Sequence, residues 1–355
     1  MKHMSSNEVG GADSLLRASL DDVSVVAVPE ARRVWASRVL DLFICHGLWS
    51  FTILASAVGY FFLWRAGAEG ATLGIVVGLQ LALCHPLEHW QPRHPGASAA
   101  RDPEFWNDIG HNGLGNLVGT PLGEAAFLGS AALVSGWLSE RIGGQVWPES
   151  WPLVLQIAAL VFLADGLEYW RHRAFHGIPW LWAFHALHHS SERLHALKAG
   201  RSHVVDMASR ALVVFAPLVV LGVPAEVLFW YAAGITIFSG PMTHSDLDMR
   251  LPGFVHGWIV TPQVHRIHHA RMLSIANANF ALVTPVWDRI FRTFQHPASH
   301  EDPPVGLEDG AFPERFVDQL LYPFCALRRK PGAGDARTEK GRSARSLPND
   351  SCRAS

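Results

Sequence analysis

Charge is what this 355-residue sequence has least of. Asp, Glu, Lys and Arg together make up 17% of it, against about a quarter in an ordinary soluble domain. So thin a charged surface points to immersion in a membrane. The 29 basic and 31 acidic side chains nearly cancel, to a formal net charge of −2, which leaves no broad positive field and excludes a general case for binding nucleic acid. Cysteine is scarce too. Cys45, Cys84, Cys325 and Cys352 are scattered, with no CxxC pair. That excludes a disulfide framework and a zinc–thiolate site, and fits a reducing compartment. Neither a G-x-G-x-x-G nor a haem-attachment motif occurs, so redox chemistry here would need electrons from elsewhere. Residues 1–30 lack the apolar stretch of a cleavable secretion signal, and the polar region 1–35 reads as a disordered tail.

What the chain does have is apolar runs. Residues 39–64 are long enough to span a bilayer, with His46 inside the run as a packed or interfacial residue. Arg32, Arg33 and Arg38 place the start of this run on the cytoplasmic side. Further spans are expected over 71–87, 117–138 and 152–167. Alternation returns the end of the fourth to the cytoplasmic side, where Arg171 and Arg173 agree with it. Residues 211–222 and 224–238 are shorter, a hairpin that either crosses or enters partway. Pro86, Pro92 and Pro95 make a polar loop at the membrane edge the expectation around His85, His89 and His94, in preference to a helix face of ligands. Residues 101–116, with Asn, Gly and His, read as loop-like or interfacial, and Trp147 and Trp151 as interfacial aromatics. The expected fold is all-α: an integral membrane helical bundle of four to six apolar segments over 36–300, followed by an extended segment, 301–355, that ends in a basic tail.

Histidine is the residue in excess, with 20 copies. Residues 165–190 read DGLEYWRHRAFHGIPWLWAFHALHHS. His172 and His176 are four apart, which is one face of a helix. His185, His188 and His189 stand at i, i+3 and i+4, again on one side. The same HxxHH returns as His265, His268 and His269. A lone His on an apolar face is usually a packed residue. Two HxxHH motifs with an HxxxH are another matter, because eight buried imidazoles are costly without partners. A metal satisfies them most simply. Imidazole suits iron, zinc and copper, and eight nitrogens exceed what one tetrahedral ion takes, so a two-metal site is expected.

The order HxxxH, HxxHH, single His, HxxHH among apolar runs resembles the sterol desaturase/fatty acid hydroxylase superfamily of membrane di-iron enzymes. The resemblance covers residues 40–297 and is tight over 165–294. Tyr169-Trp170-Arg171-His172-Arg173 with His176 looks like the opening box, and His185 to Ser190 like the second. Arg201-Ser202-His203 resembles an Arg-x-His element, and His244-Ser245 the isolated His. Thr261-Pro262 with His265-Arg266-Ile267-His268-His269 looks like the last box, followed by Asn279-Phe280 and Trp287-Asp288-Arg289-Ile290-Phe291. The chain departs at Asn279-Phe280-Ala281, where the family usually has Asn-Tyr-Gly, and at Phe291-Arg292-Thr293, where it commonly has Phe-Gly-Thr. Asp248 stands where some members have a second His.

The resemblance implies a His-rich cytoplasmic helical cap that holds two iron ions on His172, His176, His185, His188, His189, His244, His265, His268 and His269, with His203 as a tenth ligand or a support. It implies that Asp165 and Glu168 orient imidazole N–H groups and that Asn279 positions a ligand or a bound water. It further implies O₂ as co-substrate, a lipid substrate such as a sterol, fatty acyl chain or ether lipid, hydroxylation in preference to desaturation, and a separate electron-donor redox protein. Iron also follows from chemistry, since zinc has no redox states with which to activate O₂. Two other classes stay open on residues alone: a membrane metal transporter with a His-lined path, and a zinc-dependent membrane hydrolase.

Overall fold

The computed structural model describes residues 35–300, 302–308 and 312–328; the tails expected at 1–30 and beyond Arg328 lie outside them. The chain divides into two units, residues 1–43 and 44–355. Among the described residues all repeating structure is helical, with two isolated bridges, Pro92 with Leu247 and Ala270 with Val305.

Helices α1 (Trp35–His46), α2 (Leu48–Arg65) and α3 (Glu69–Trp90) come first. Then α4 (Phe105–Leu114) and α5 (Thr120–Ile142) join through a π turn, Gly115–Gly119. α6 (Leu153–Gly177) follows. Among the described residues four rods are long and apolar enough to cross a membrane: Leu48–Arg65, Ala71–Trp90, Phe105–Ile142 and Leu153–Gly177.

Four expectations need correcting. The first run breaks at Gly47, so its spanning helix starts at Leu48. α3 runs on through Pro86 to Trp90, so His85 and His89 ride on a helix and not on a loop. A proline costs a helix the bond its N–H would make, and here that loss falls in the final turns. Residues 105–116, expected as loop-like or interfacial, are helical and not a loop: they start the third rod, whose π turn absorbs Gly115 and Gly119. Trp147 is also not an interfacial ring: it is buried, and its indole N–H donates to Gln156 Oε1. Trp151 is exposed.

The shorter apolar pair forms a hairpin of α8 (Val204–Arg210), a π turn (Ala211–Phe215), α9 (Ala216–Val220) and α10 (Ala225–Ser239). Its tip reaches the connector 143–152, since Trp147 N donates to Leu221 O at 2.9 Å. Leu160 and Ala164 of α6 pack there against Val214, Leu218, Val227 and Tyr231.

Lipid is as apolar as leucine, so helices in a bilayer associate through close packing and not through expulsion of water. Gly115, Gly119 and Gly123 supply that closeness at four-residue spacing. A Cβ built on Gly119 would lie 2.8 Å from Val204 O, and one on Gly123 2.5 Å from Ala208 O. The hairpin therefore lies directly on the third rod.

At the other end of the rods, polar segments gather. Arg93 N donates to Asp246 O and Arg250 N to Cys45 O, both at 2.7 Å. Four further short helices lie in this region or beside it: α7 (Pro179–His189), α11 (Pro241–His244), α12 (Pro262–His268) and α13 (Leu273–Ala276). With α14 (Val286–Ile290) they make up a helical layer, and α15 (Phe316–Arg328) closes over α7 through Trp182, Ala186 and Tyr322.

Replacing Gly123 by Val is expected to destabilise the fold by about 1–3 kcal/mol through overpacking against the Ala208 backbone. Gly129 faces open space, so Gly129→Ala should be neutral or gain up to about 1 kcal/mol of helix preference. Thermal unfolding in detergent micelles reads both.

Candidate metal centre

Four helical segments bring nine histidines together. α6 has 25 residues, about 37 Å at 1.5 Å per residue, against a hydrocarbon layer of about 30 Å. The helix is longer than that layer needs, and its last turns carry His172 and His176 on one face. α7 carries His185, His188 and His189, α11 ends at His244, and α12 carries His265 and His268, with His269 next. α7, α11 and α12 all begin with proline, whose fixed φ and missing N–H suit a first helical turn. Thr261 caps α12 by accepting from Val264 N at 3.3 Å.

None of the nine rings is more than 9% exposed. They sort into a group of five (His172, His176, His185, His189, His268) and a group of four (His188, His244, His265, His269). Within each group one nitrogen per ring lies within 4.8 Å of all the others. The groups abut: His189 stacks on His269 with centroids 4.4 Å apart, and His185 stands 5.4 Å from His188.

The ring orientation follows from the outer nitrogens. His172 Nδ1 donates to Phe280 O at 2.7 Å, His268 Nδ1 to Ala278 O at 2.8 Å, and His188 Nδ1 to Arg201 O at 3.2 Å. His185 Nδ1 donates to Asp206 Oδ2 at 2.7 Å, and His176 Nδ1 to Asn277 Oδ1 at 3.3 Å. A ring that donates through Nδ1 keeps its lone pair on Nε2, and here that atom faces inward.

This arrangement fits a metal. His172 Nε2 and His185 Nε2 stand 3.0 Å apart, two lone pairs with no proton between them. Two nitrogens bound at about 2.1 Å to one cation, at a right angle, would stand about 3.0 Å apart. His244 Nε2 to His265 Nε2 and His265 Nε2 to His269 Nε2 are also 3.0 Å. His189 Nε2 and His268 Nε2 are buried with no hydrogen-bond partner among the described residues. The donor set is neutral nitrogen throughout, which suits iron, zinc or copper. Burial, and then the neighbouring rings, push His188 and His268 down to about 3 and hold His189, His244, His265 and His269 well below the usual value. At neutral pH these rings offer lone pairs and not charges.

Other expected residues lie further out. Asp165 accepts from Thr284 N at 2.7 Å and from Tyr231 Oη at 3.3 Å, and Glu168 grips Arg171 at 2.7 and 2.9 Å and Arg210 at 3.2 Å. Their hydrogen bonds thus go to groups other than an imidazole. The carboxylate that does orient a ring is Asp206, with one oxygen on His185 and the other on Arg171 at 2.6 Å. Only its place three residues after Arg201-Ser202-His203 marked it in the sequence. His203 stands apart from the cluster: Nδ1 caps α8 through Val205 N, and Nε2 donates to Leu320 O. Asn279 binds backbone, donating to Val264 O and Gln295 O and accepting from Gln295 N. It has a left-handed backbone, φ +54°. That turn lets Asn277, Ala278 and Phe280 each offer an acceptor to a different ring. Asp288 fixes the same segment by accepting from Phe280 N and Ala281 N at 2.9 Å. Arg292, where a glycine is common, keeps the left-handed φ of +58°. His94 lies between Asp246 and Asp302, and neither it, His85 nor His89 joins either group.

The family model described as fatty acid hydroxylase matches residues 157–293. The chain is 31% identical over 286 residues to the ornithine lipid hydroxylase OlsE of Rhizobium tropici, covering 80% of this chain and 85% of that protein. It is 30% identical over 193 residues to an alkylglycerol monooxygenase of Caenorhabditis elegans, 54% of this chain and 36% of that one. With a lathosterol oxidase of Rattus norvegicus it shares 27% over 156 residues, 44% and 50% of the two chains. The chain thus spans half or less of the last two relatives. No solved structure matches.

Two outcomes follow. Asp206→Asn is expected to weaken metal binding about 10–100-fold, as loss of a ring's outer partner usually does, read by chelator competition on the purified protein. Metal-free protein is expected to lose stability as pH falls. Unfolded His titrates near 6.5, while folded His188 and His268 titrate near 3. Between those values the unfolded chain binds protons that the folded chain does not, so stability rises with pH there. The melting temperature should drop between pH 7.5 and pH 5; a flat profile would contradict neutral buried rings.

Proposed function

The chain belongs to the sterol desaturase/fatty acid hydroxylase superfamily, and from that premise we propose that it is a membrane-bound oxygenase that hydroxylates a C–H bond of a lipid, using O₂, two iron ions and electrons from a separate redox protein. The observation that carries this reading is the nine-ring cluster, with one nitrogen of each ring gathered into groups of five and four. The five would hold one iron and the four the other. Iron there would supply activation of O₂ and removal of hydrogen from an unactivated C–H bond, which zinc cannot do. In balance, one oxygen atom enters the C–H bond and the other leaves as water, with two electrons and two protons from outside.

The protein's part is to orient, enclose and admit. Backbone carbonyls and Asp206 hold the rings by Nδ1. Trp182 and Phe280 lie 5.1 and 5.2 Å from His176 and keep water off the rings. A cavity of about 170 Å³ reaches His172, His185, His188, His244 and His265, with Val77, Leu81 and Ile235 on its apolar side. It compares with the roughly 150 Å³ cavity that admits benzene, room for a slender aliphatic segment beside the rings. Relatives named hydroxylase and monooxygenase favour hydroxylation over desaturation.

The ring end of the rods is proposed as cytoplasmic. The other end carries Arg65 and Arg141 at the ends of its rods, while 91–104 and 178–203 hold Arg93, Arg101, Arg193, Lys198 and Arg201, a majority that favours a cytoplasmic face here. The redox partner would dock there. A transporter would place its histidines mid-span, and a zinc hydrolase needs an open three-ligand site with a general base; neither has a use for nine imidazoles at the end of a bundle.

His188→Ala is expected to abolish product formation while helicity is unchanged. The assay supplies membranes with lipid, iron, O₂ and a reductant, beside anaerobic controls. Equal turnover without O₂ would sink the oxygenase reading.

A further inference from the structure

A second buried polar cluster lies where α4 meets residues 194–203. Asp108, Lys198 and Arg201 are at most 1% exposed. Lys198 Nζ stands 3.0 Å from Asp102 Oδ2 and 2.8 Å from Asp108 Oδ2, and His195 Nε2 donates to Asp102 Oδ2 at 2.9 Å. Arg201 Nη1 meets Asp108 Oδ1 at 2.7 Å, and Nη2 meets Glu104 Oε1 at 2.7 Å. Asp102, Asp108 and His195 have the spacing of metal ligands, but the Lys198 ammonium already provides the cation between the two carboxylates.

Buried ion pairs return little net stability, because desolvation offsets the attraction; fixing one arrangement is a better-attested use. What Arg201 fixes is the last turn of α7. Its Nε donates to Leu187 O at 3.3 Å, its Nη2 donates to Ser190 Oγ at 3.1 Å, and its carbonyl accepts from His188 Nδ1 at 3.2 Å. Glu88 of α3 acts similarly near His244: its Oε1 accepts from Ala196 N and Asp246 N, both at 2.9 Å. His188 and His244 belong to the same group of four. The group of five has another support, Arg171–Asp206–His185.

We infer that Asp108 and Arg201 are positioning residues for the four-ring group, so that the two groups rest on separate buried ionic supports and can be weakened one at a time. The inference rests on the metal reading given above. Neither residue touches the proposed metals. Each acts through the peptide and the helix turn that aim His188.

The test titrates metal-stripped protein in detergent micelles with Co²⁺ alone and follows the visible absorption bands. His188→Ala and His172→Ala show which binding step belongs to which group. In Asp108→Asn, the step lost in His188→Ala should move about 10–100-fold to higher cobalt, while the step lost in His172→Ala stays near wild type. Asp206→Asn should give the reverse. Arg201→Lys keeps a charge beside Asp108 but loses the fork to Leu187 and Ser190; it should repeat the Asp108→Asn result and serves if that variant fails to fold. Gln156→Leu, a buried change at Trp147, should move neither step. Equal movement of both steps in the Asp108 and Arg201 variants, or movement of neither, would overturn the inference while two wild-type steps leave the metal reading standing. Failure of the wild-type protein to bind cobalt would overturn both.

Discussion

A buried imidazole must satisfy two nitrogens, and the layout of this protein's polar end follows from that demand on a cluster of nine. The outer nitrogens of five rings are met by Phe280 O, Ala278 O, Arg201 O, Asn277 and Asp206. Each such bond fixes a tautomer and turns a lone pair inward. The inner nitrogens then crowd to 3.0–3.4 Å, separations that suit ligands around cations. The short proline-started helices deliver the rings, and the left-handed turn at Asn279, fixed by the carboxylate of Asp288, delivers three of those outer acceptors.

The membrane part and the ring part depend on each other through two rods. α6 is a spanning helix whose final turns are part of the ring cluster, so its depth in the bilayer sets the depth of His172 and His176. α3 is the other. Its Glu88, near the end of the rod, holds the backbone on either side of the polar layer at Ala196 and Asp246. The hairpin 204–239 closes the third side, brought close by Gly119 and Gly123. The cavity that reaches the rings lies between these elements, open to apolar side chains and to imidazoles at once.

Much of this was legible in the residues. Periodicity found the histidines, since i, i+3 and i+4 spacing is a property of single helices, and run length found the spans. What was not legible depended on contacts between distant segments. Asp165 and Glu168 sit on the same helix as His172 and so suggested themselves as its partners, yet they face Thr284, Tyr231, Arg171 and Arg210. Asp206, which does hold His185, comes from a segment 21 residues on. Arg201-Ser202-His203 drew notice for its histidine, whereas the arginine is the residue that reaches α7. Pro86 and the Asn, Gly and His of 101–116 argued against regular helix by local preference, and tertiary partners overrode them: Glu88 holds Ala196 and Asp246, and Asp108 holds Lys198 and Arg201.

The central claim is that the nine rings hold two iron ions, one in each group. Anomalous difference density measured on either side of the iron absorption edge, from crystals of the native protein, tests it most directly. Two peaks are expected, one among the Nε2 atoms of His172, His176, His185, His189 and His268 and one among those of His188, His244, His265 and His269, both present above the edge and lost below it. Peaks that track the zinc edge instead, or a single peak serving both groups, would contradict it.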